Sequence, residues 1–306
     1  MSRRFEGKVV VITGASAGIG AAAARQFAGE GAAVALAARS AAPLADLASE
    51  LERSGARAFA VPTDIAHPQA ASRLLSAVAD RFGGIDVLVN NAGANKRGPI
   101  ERYTPEELAS VVQVNLTAPI MLTRLVLPYL RTRGRGAIVN VASIAGRIPL
   151  GDEAVYSATK FGLRAFTFAM QEELHGSGIT MSAVSPGPVD TGFIMDNLDD
   201  VPDVVFAQPM STAEEVARLI LRLRRRRHRR AGDPAADRLS RDRRLPLPRA
   251  PQLHAAAHGA PWERSEGRVR EAQRRLRLSD RRIFATQLVT PVRLRYPNAH
   301  AGVIQR

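Results

Sequence analysis

The chain has 306 residues, 45% of them apolar, enough for one large α/β domain or two small ones with a real core. It has no cysteine, which excludes disulfides, thiol nucleophiles and cysteine-based zinc sites and points to the cytosol; the apolar run at 9–12 is too short for a signal peptide or membrane span. The net charge of +14 is unevenly spread: residues 1–221 hold 20 basic against 22 acidic residues, and residues 222–306 hold 23 against 7.

Through the first 221 residues short β-branched runs alternate with longer helical patterns, the sign of successive βαβ units and a parallel sheet. A first strand over 8–13 leads at once into Thr13-Gly14-Ala15-Ser16-Ala17-Gly18-Ile19-Gly20, which opens a helix over 18–30. Glycines there let the backbone turn tightly and approach a pyrophosphate held at the helix N-terminus. The spacing is GxxxGxG rather than GxGxxG, and such a junction can also need glycine for packing alone. The second strand, 33–38, ends at Ala38 and is followed by Arg39. An NAD enzyme usually carries an acidic residue there to hold the ribose 2′-hydroxyl. Here no carboxylate opposes a 2′-phosphate and a guanidinium can bind one, which favours NADP(H) over NAD(H); the alternative is that Arg39 is an ordinary surface arginine.

A helix over 43–54 and a strand over 56–61 follow, with Asp64 and Ile65 placed to border an adenine. After a helix over 68–82, the strand 86–90 ends in Asn90-Asn91-Ala92-Gly93, which is either a plain turn or part of a nucleotide crevice. Thr104, Pro105 and Glu107 cap a long helix over 105–131 that contains Asn115. The strand 136–142 brings Ser143 to a carboxyl end, where ligands bind in open parallel sheets. The next helix, 154–176, carries Tyr156 and Lys160 on one face. A phenol with a pKa of about 10 is a poor proton donor at neutral pH unless a nearby cation stabilises its phenolate, and Lys160 can supply that charge. Ser143 lacks a G-x-S-x-G elbow, and a Tyr-Lys pair suits proton delivery better than nucleophile activation.

After a sixth strand over 179–185 comes Pro186-Gly187-Pro188-Val189-Asp190-Thr191. The segment 188–211 reads as a substrate lid, with apolar surface from Phe193, Ile194, Met195 and Phe206 and an acidic rim of Asp196, Asp199, Asp200 and Asp203. The apolar part fits a hydrophobic ketone or aldehyde. A last helix over 211–224 carries capping signals in Ser211 or Thr212 and Glu214 or Glu215.

Beyond residue 224 the periodicity fails, which divides the chain into a catalytic domain at 1–224 and an arginine-rich tail of low order at 225–306. Three explanations compete: an inert solvated tail, an arm for nucleic acid or a membrane surface, and a shifted reading frame, since 40 arginines against 3 lysines suggest a GC-rich gene. His254 and His258 have ligand-like spacing but lie in this tail without the glutamate of a zinc-protease helix, so no metal is expected.

Taken together, TGASAGIG, NNAG, Asn115, Ser143, YSATK at 156–160 and PGPVDT at 186–191 resemble the short-chain dehydrogenase/reductase family across residues 6 to 221. The resemblance implies a Rossmann-type doubly wound parallel sheet in three α/β/α layers and a nicotinamide cofactor. It implies a catalytic set of Asn115, Ser143, Tyr156 and Lys160, in which Ser143 binds the substrate carbonyl oxygen and Tyr156 donates the proton. Lys160 would bind the nicotinamide ribose and lower the tyrosine pKa, and Asn115 would hold a water in the proton relay. Thr13, Gly14, Ser16, Gly18, Ile19, Gly20, Arg39, Asp64, Ile65, Asn91, Ala92 and Gly93 would line the cofactor site with Tyr156 and Lys160. Pro186, Gly187, Val189 and Thr191 would border the nicotinamide. The expected activity is reduction of a carbonyl, or oxidation of a secondary alcohol, with NADP(H). The alternative is a catalytically impaired nucleotide-binding protein whose tail contacts an acidic partner. A complete set of four residues argues against it and against nucleic acid as the partner. The family normally adds a seventh strand after the last helix and uses that region in oligomers; no such strand is legible here, which puts a homo-oligomer in doubt.

Overall fold

The computed structural model describes residues 3–196, 201 and 209–223. The tail at 225–306, with its competing explanations, and the lid residues Asp199, Asp200, Asp203 and Phe206 lie outside the described residues.

Strands β1 (Val9–Thr13), β2 (Ala33–Ala38), β3 (Arg57–Pro62), β4 (Val87–Asn90), β5 (Gly136–Val141) and β6 (Ile179–Val184) form one sheet in the order β3-β2-β1-β4-β5-β6. Every neighbouring pair is parallel. Strands β1 and β4 are almost wholly apolar and buried along their length, as parallel strands covered on both faces must be. Alternate residues serve opposite layers. Val10, Ile12, Val34 and Leu36 pack with helix α1 (Gly18–Gly29) and α2 (Ala41–Arg53), whereas Val9, Val11, Ala33 and Ala35 pack with α3 (Pro68–Phe82). The run Ala21–Ala24 is buried in α1, and its short side chains let that helix lie close on the sheet.

The remaining helices and strands are α4 (Pro105–Val112), α5 (Ala118–Thr132), α6 (Ala154–Glu173), β7 (Val189–Asp190), α7 (Gly192–Met195), β8 (Ser211–Thr212) and α8 (Ala213–Leu223). The capping box is present: Glu107 N–H donates to the Thr104 hydroxyl at 3.3 Å and Thr104 N–H to the Glu107 carboxylate at 3.0 Å. The long helix expected over 105–131 is not uniform. A π-helical segment, Gln113–Thr117, separates α4 from α5. Pro119, which has no N–H to donate to the carbonyl four residues back, stands at the start of α5 just after this segment. By length and composition the stretch Pro105–Thr132 could cross a membrane, an 18-residue window of it reaching a mean hydropathy of 1.4. Part of that apolar content serves the core, where Leu122, Val126 and Leu130 are fully buried, and 39% of the window is buried.

At the carboxyl end of the described chain, Ser211 does not cap a helix but pairs with Val189 in a two-stranded parallel ribbon. Thr212 takes the capping role, accepting from Glu215 N–H at 3.2 Å. Val216, Ala217, Ile220 and Leu221 of α8 are buried in the layer that contains α1. Among the described residues β3 and β6 are the two edges of the sheet.

Candidate active site

Strand order reverses between β1 and β4, and a crevice opens at the carboxyl ends of strands on either side of such a switch. Here a cleft of about 640 Å³ runs from the β1–α1 turn, past the ends of β2 and β3, to Tyr156 and α7. Its wall includes Gly14, Ser16, Gly18 and Ile19 from the first turn, and Arg39, Asp64 and Ile65 from the next two strand ends. Asn91, Ala92 and Gly93 follow after β4, then Ser143, Tyr156 and Lys160, then Pro186, Gly187, Val189 and Thr191 after β6.

The glycine turn is built for backbone approach. Gly14 has φ +64°, and a Cβ at Gly20 would stand 2.1 Å from the Gly14 carbonyl oxygen and 2.6 Å from Asn91 Nδ2. The turn is tied to the end of β4: Asn91 Nδ2 donates to the carbonyls of Thr13 at 2.9 Å and Gly14 at 3.1 Å. Thr13 Oγ1 accepts from the amides of Asn91 at 3.0 Å and Ala92 at 3.1 Å.

Ser143 stands just past β5, half-buried, its hydroxyl accepting from Ala145 N–H at 3.1 Å. Tyr156 and Lys160 occupy the first two turns of α6, both buried, with the ammonium 5.4 Å from the ring centroid. Lys160 Nζ donates to the Val141 carbonyl at 3.0 Å. The electrostatics differ from the expectation that Lys160 lowers the tyrosine pKa. Burial pushes the Tyr156 phenol up to about 12; a hydrogen bond with Ser143 and the charge of Arg97 oppose that rise, and Glu153 adds to it. Lys160 is itself driven down to about 8 by burial. An ionised phenolate is costly away from water, so the group stays a protonated donor at neutral pH.

Three residues expected at the site, Thr13, Gly20 and Asn115, do not line the cleft. Thr13 and Gly20 shape the turn from behind. Asn115 is fully buried in the π-helical segment; its Oδ1 accepts from Ala94 N–H at 2.8 Å, and its Nδ2 donates to the Ala94 carbonyl at 2.8 Å and to Thr159 Oγ1 at 3.2 Å. It braces the loop after β4 against α6 and so positions the cleft wall.

The short chain dehydrogenase family model matches residues 8–201. The chain belongs to the short-chain dehydrogenase family of oxidoreductases. It is 40% identical over 216 residues to the ketoacyl reductase HetN of Nostoc sp. (strain PCC 7120), a match spanning 70% of this chain and 75% of that protein. It is likewise 40% identical over 186 residues to a putative ketoacyl reductase of the monensin polyketide synthase of Streptomyces virginiae, covering 60% of this chain and 71% of the relative. Among solved structures, a metagenomic short-chain oxidoreductase in complex with NADP superposes with a TM-score of 0.62 at 34% identity, over 72% of this chain and 91% of that one.

The short-chain dehydrogenase motifs do not include two charged residues that the fold brings into the cleft, Arg97 and Glu153. Arg97 Nε and Glu153 Oε1 are 2.7 Å apart, with side chains only 9% and 4% exposed. They are 56 positions apart in the chain, so no local spacing rule pairs them.

Lys160 makes a prediction about stability. Its folded pKa of about 8 lies below the ordinary value of 10.5, so between those pH values the unfolded chain binds more protons and stability rises with pH. The cost of the buried charge is complete below pH 8 and fades above it. Melting curves of wild type and Lys160→Met from pH 6.5 to 10.5 should show the variant gaining most at low pH, with the gap closing above about pH 8. A gap constant across the range would contradict a charge-burial cost at this lysine.

Proposed function

We propose that this oxidoreductase is an NADP(H)-dependent carbonyl reductase, working in reverse as a secondary-alcohol dehydrogenase, in the cytosol. The observation that carries the reading is the placement of a buried, protonated Tyr156, with the Lys160 ammonium 5.4 Å from its ring, and of Ser143 in the same cleft as a glycine turn. The glycine turn fits a pyrophosphate: α1 begins at Gly18, its first N–H groups have no intrahelical partner, and Gly14 and Gly18 line the cleft without a side chain. Bound along this cleft, a nicotinamide dinucleotide would supply the hydride in reduction and accept it in oxidation.

The residues of this chain do the rest. Ser143 and Tyr156 donate hydrogen bonds to the substrate oxygen, on which negative charge grows as the carbonyl carbon is reduced. Tyr156 then passes its hydroxyl proton to that oxygen, and alcohol forms. Lys160 would hold a ribose hydroxyl of the bound dinucleotide, and it presents positive charge as the phenolate develops. Asn115 keeps the loop after β4 in place, and Pro186, Gly187, Val189 and Thr191 border the nicotinamide. The ketoacyl reductase relatives support a carbonyl substrate.

Arg39 and Ser40 line the cleft beyond β2, where no acidic residue stands, and both are exposed, which suits a 2′-phosphate. Initial rates with NADPH and NADH on a panel of ketones and aldehydes test the proposal; absence of turnover by folded protein with either cofactor would sink it. Arg39→Asp should cut kcat/KM for NADPH by roughly 10- to 100-fold, the range of a lost charge-assisted hydrogen bond to an anion, while improving use of NADH. An unchanged cofactor ratio would return Arg39 to the ordinary surface.

A further inference from the structure

Arg97 is joined to more of the site than an ion pair requires. Its Nη1 donates to the Phe193 carbonyl at 3.0 Å, its guanidinium carbon lies 5.3 Å from the Phe193 ring centroid, and its own carbonyl accepts from the Tyr103 hydroxyl. The adjoining Gly98 N–H donates to the Asp152 carbonyl at 2.8 Å, so the loop after β4 is tied twice to the start of α6. Phe193 sits in α7 with its ring 6.0 Å from that of Tyr156, tilted by 42°. It remains 41% exposed, a large apolar side chain at the cleft wall beside the proton donor. Ile144 and Leu150 add apolar surface to the same cleft. The charge of Arg97 is matched by that of Glu153, so this guanidinium is not free to attract an anionic substituent.

We propose that Arg97, anchored by Glu153, is a positioning residue that clamps Phe193 beside Tyr156, and that the wall so formed selects carbonyl compounds with a flat apolar substituent next to the carbonyl carbon. The choice of carbonyl compounds rests on the reductase reading; the clamp itself rests on these contacts. An aromatic ring held by a guanidinium on one side keeps a fixed face for a planar group, whereas a free phenylalanine would rotate among its rotamers. Arginine is needed because its fork can serve Glu153 and the Phe193 carbonyl together, which a single ammonium cannot do with the same geometry.

The test compares wild type, Phe193→Ala, Arg97→Lys and the double variant. Equilibrium binding of acetophenone is measured by calorimetry, and kcat/KM with NADPH is measured for acetophenone and for butan-2-one. Wild type should prefer acetophenone. Phe193→Ala should weaken acetophenone binding and lower its kcat/KM relative to butan-2-one, each by about tenfold, the scale of one lost apolar contact surface. Arg97→Lys keeps the charge opposite Glu153, yet should lose the same selectivity, and the double variant should be no worse than the worse single variant. Thermal melting controls for folding. A merely structural ion pair predicts that lysine rescues wild-type selectivity; that result, additive losses, or failure of wild type to bind acetophenone would each overturn the clamp. Binding that depends on Phe193 and Arg97 without turnover of either ketone would keep the clamp and remove the reductase reading. Turnover of both ketones with no dependence on Phe193 would do the reverse.

Discussion

Tyr156→Phe should bind NADPH nearly as tightly as wild type, melt at a similar temperature and lose at least about two orders of magnitude in carbonyl turnover, the usual scale for removal of a general acid. The substitution removes one hydroxyl from a buried position and leaves the ring that packs against Phe193 and Lys160. What disappears is a hydrogen-bond donor aimed at the substrate oxygen and the proton it delivers. Burial keeps that hydroxyl protonated, with a pKa near 12, so at neutral pH essentially every wild-type molecule holds the proton. The phenolate left after transfer is unstable for the same reason, and the positive charge of Lys160 must then offset it. Single-turnover measurement at saturating NADPH isolates this step from binding. Near-full reduction by Tyr156→Phe would remove the phenol from the mechanism and the reductase assignment with it.

Gly20→Ala should be the most damaging single-methyl change in the nucleotide half of the cleft. The added Cβ would meet the Gly14 carbonyl oxygen at 2.1 Å and the Gly14 carbonyl carbon at 2.8 Å, both backbone atoms of the turn that lines the cleft. Neither can step aside as a flexible side chain would, so the turn must move. Overpacking of this kind costs roughly 1–3 kcal/mol, which for a domain of this size lowers the melting temperature by roughly 2–12 °C. Displacing Gly14 also moves the amides expected to receive a pyrophosphate, so NADPH affinity should fall with stability. Gly29→Ala is the control, since a Cβ there meets nothing within 4 Å and the residue ends the same helix. Melting and titration with NADPH decide the matter: if Gly20→Ala behaves like Gly29→Ala in both, the glycine is not a steric requirement of the turn.

Most of the architecture was legible because parallel α/β structure writes itself locally. Short apolar runs closed by turn residues and alternating with longer helical patterns read as buried strands, and the six expected strands all form, within a residue or two of their expected ends. The long helix at 105–131 was less legible. Hydrophobic periodicity there is continuous, and nothing local announces the π-helical segment at Asn115, whose side chain bonds to Ala94, a residue 21 positions away. The start of the last helix offered Ser211 or Thr212 as its cap, and local sequence does not choose between them. The helix-start signal is real at Thr212, but the backbone bond from Ser211 to Pro188 draws the preceding residue into a ribbon.

Short-range spacing alone therefore determined the strand-helix alternation, the glycine turn, the carboxyl-end placement of Ser143 and the shared face of Tyr156 and Lys160, because each depends on residues within one element or at its end. Tertiary structure decided which of those residues face the cleft. It set Thr13, Gly20 and Asn115 behind the wall as braces and brought Arg97, Glu153 and Phe193 together around Tyr156. It also decided the charge state of the site, since burial raises the phenol and lowers the ammonium, and burial is a property of the packed fold.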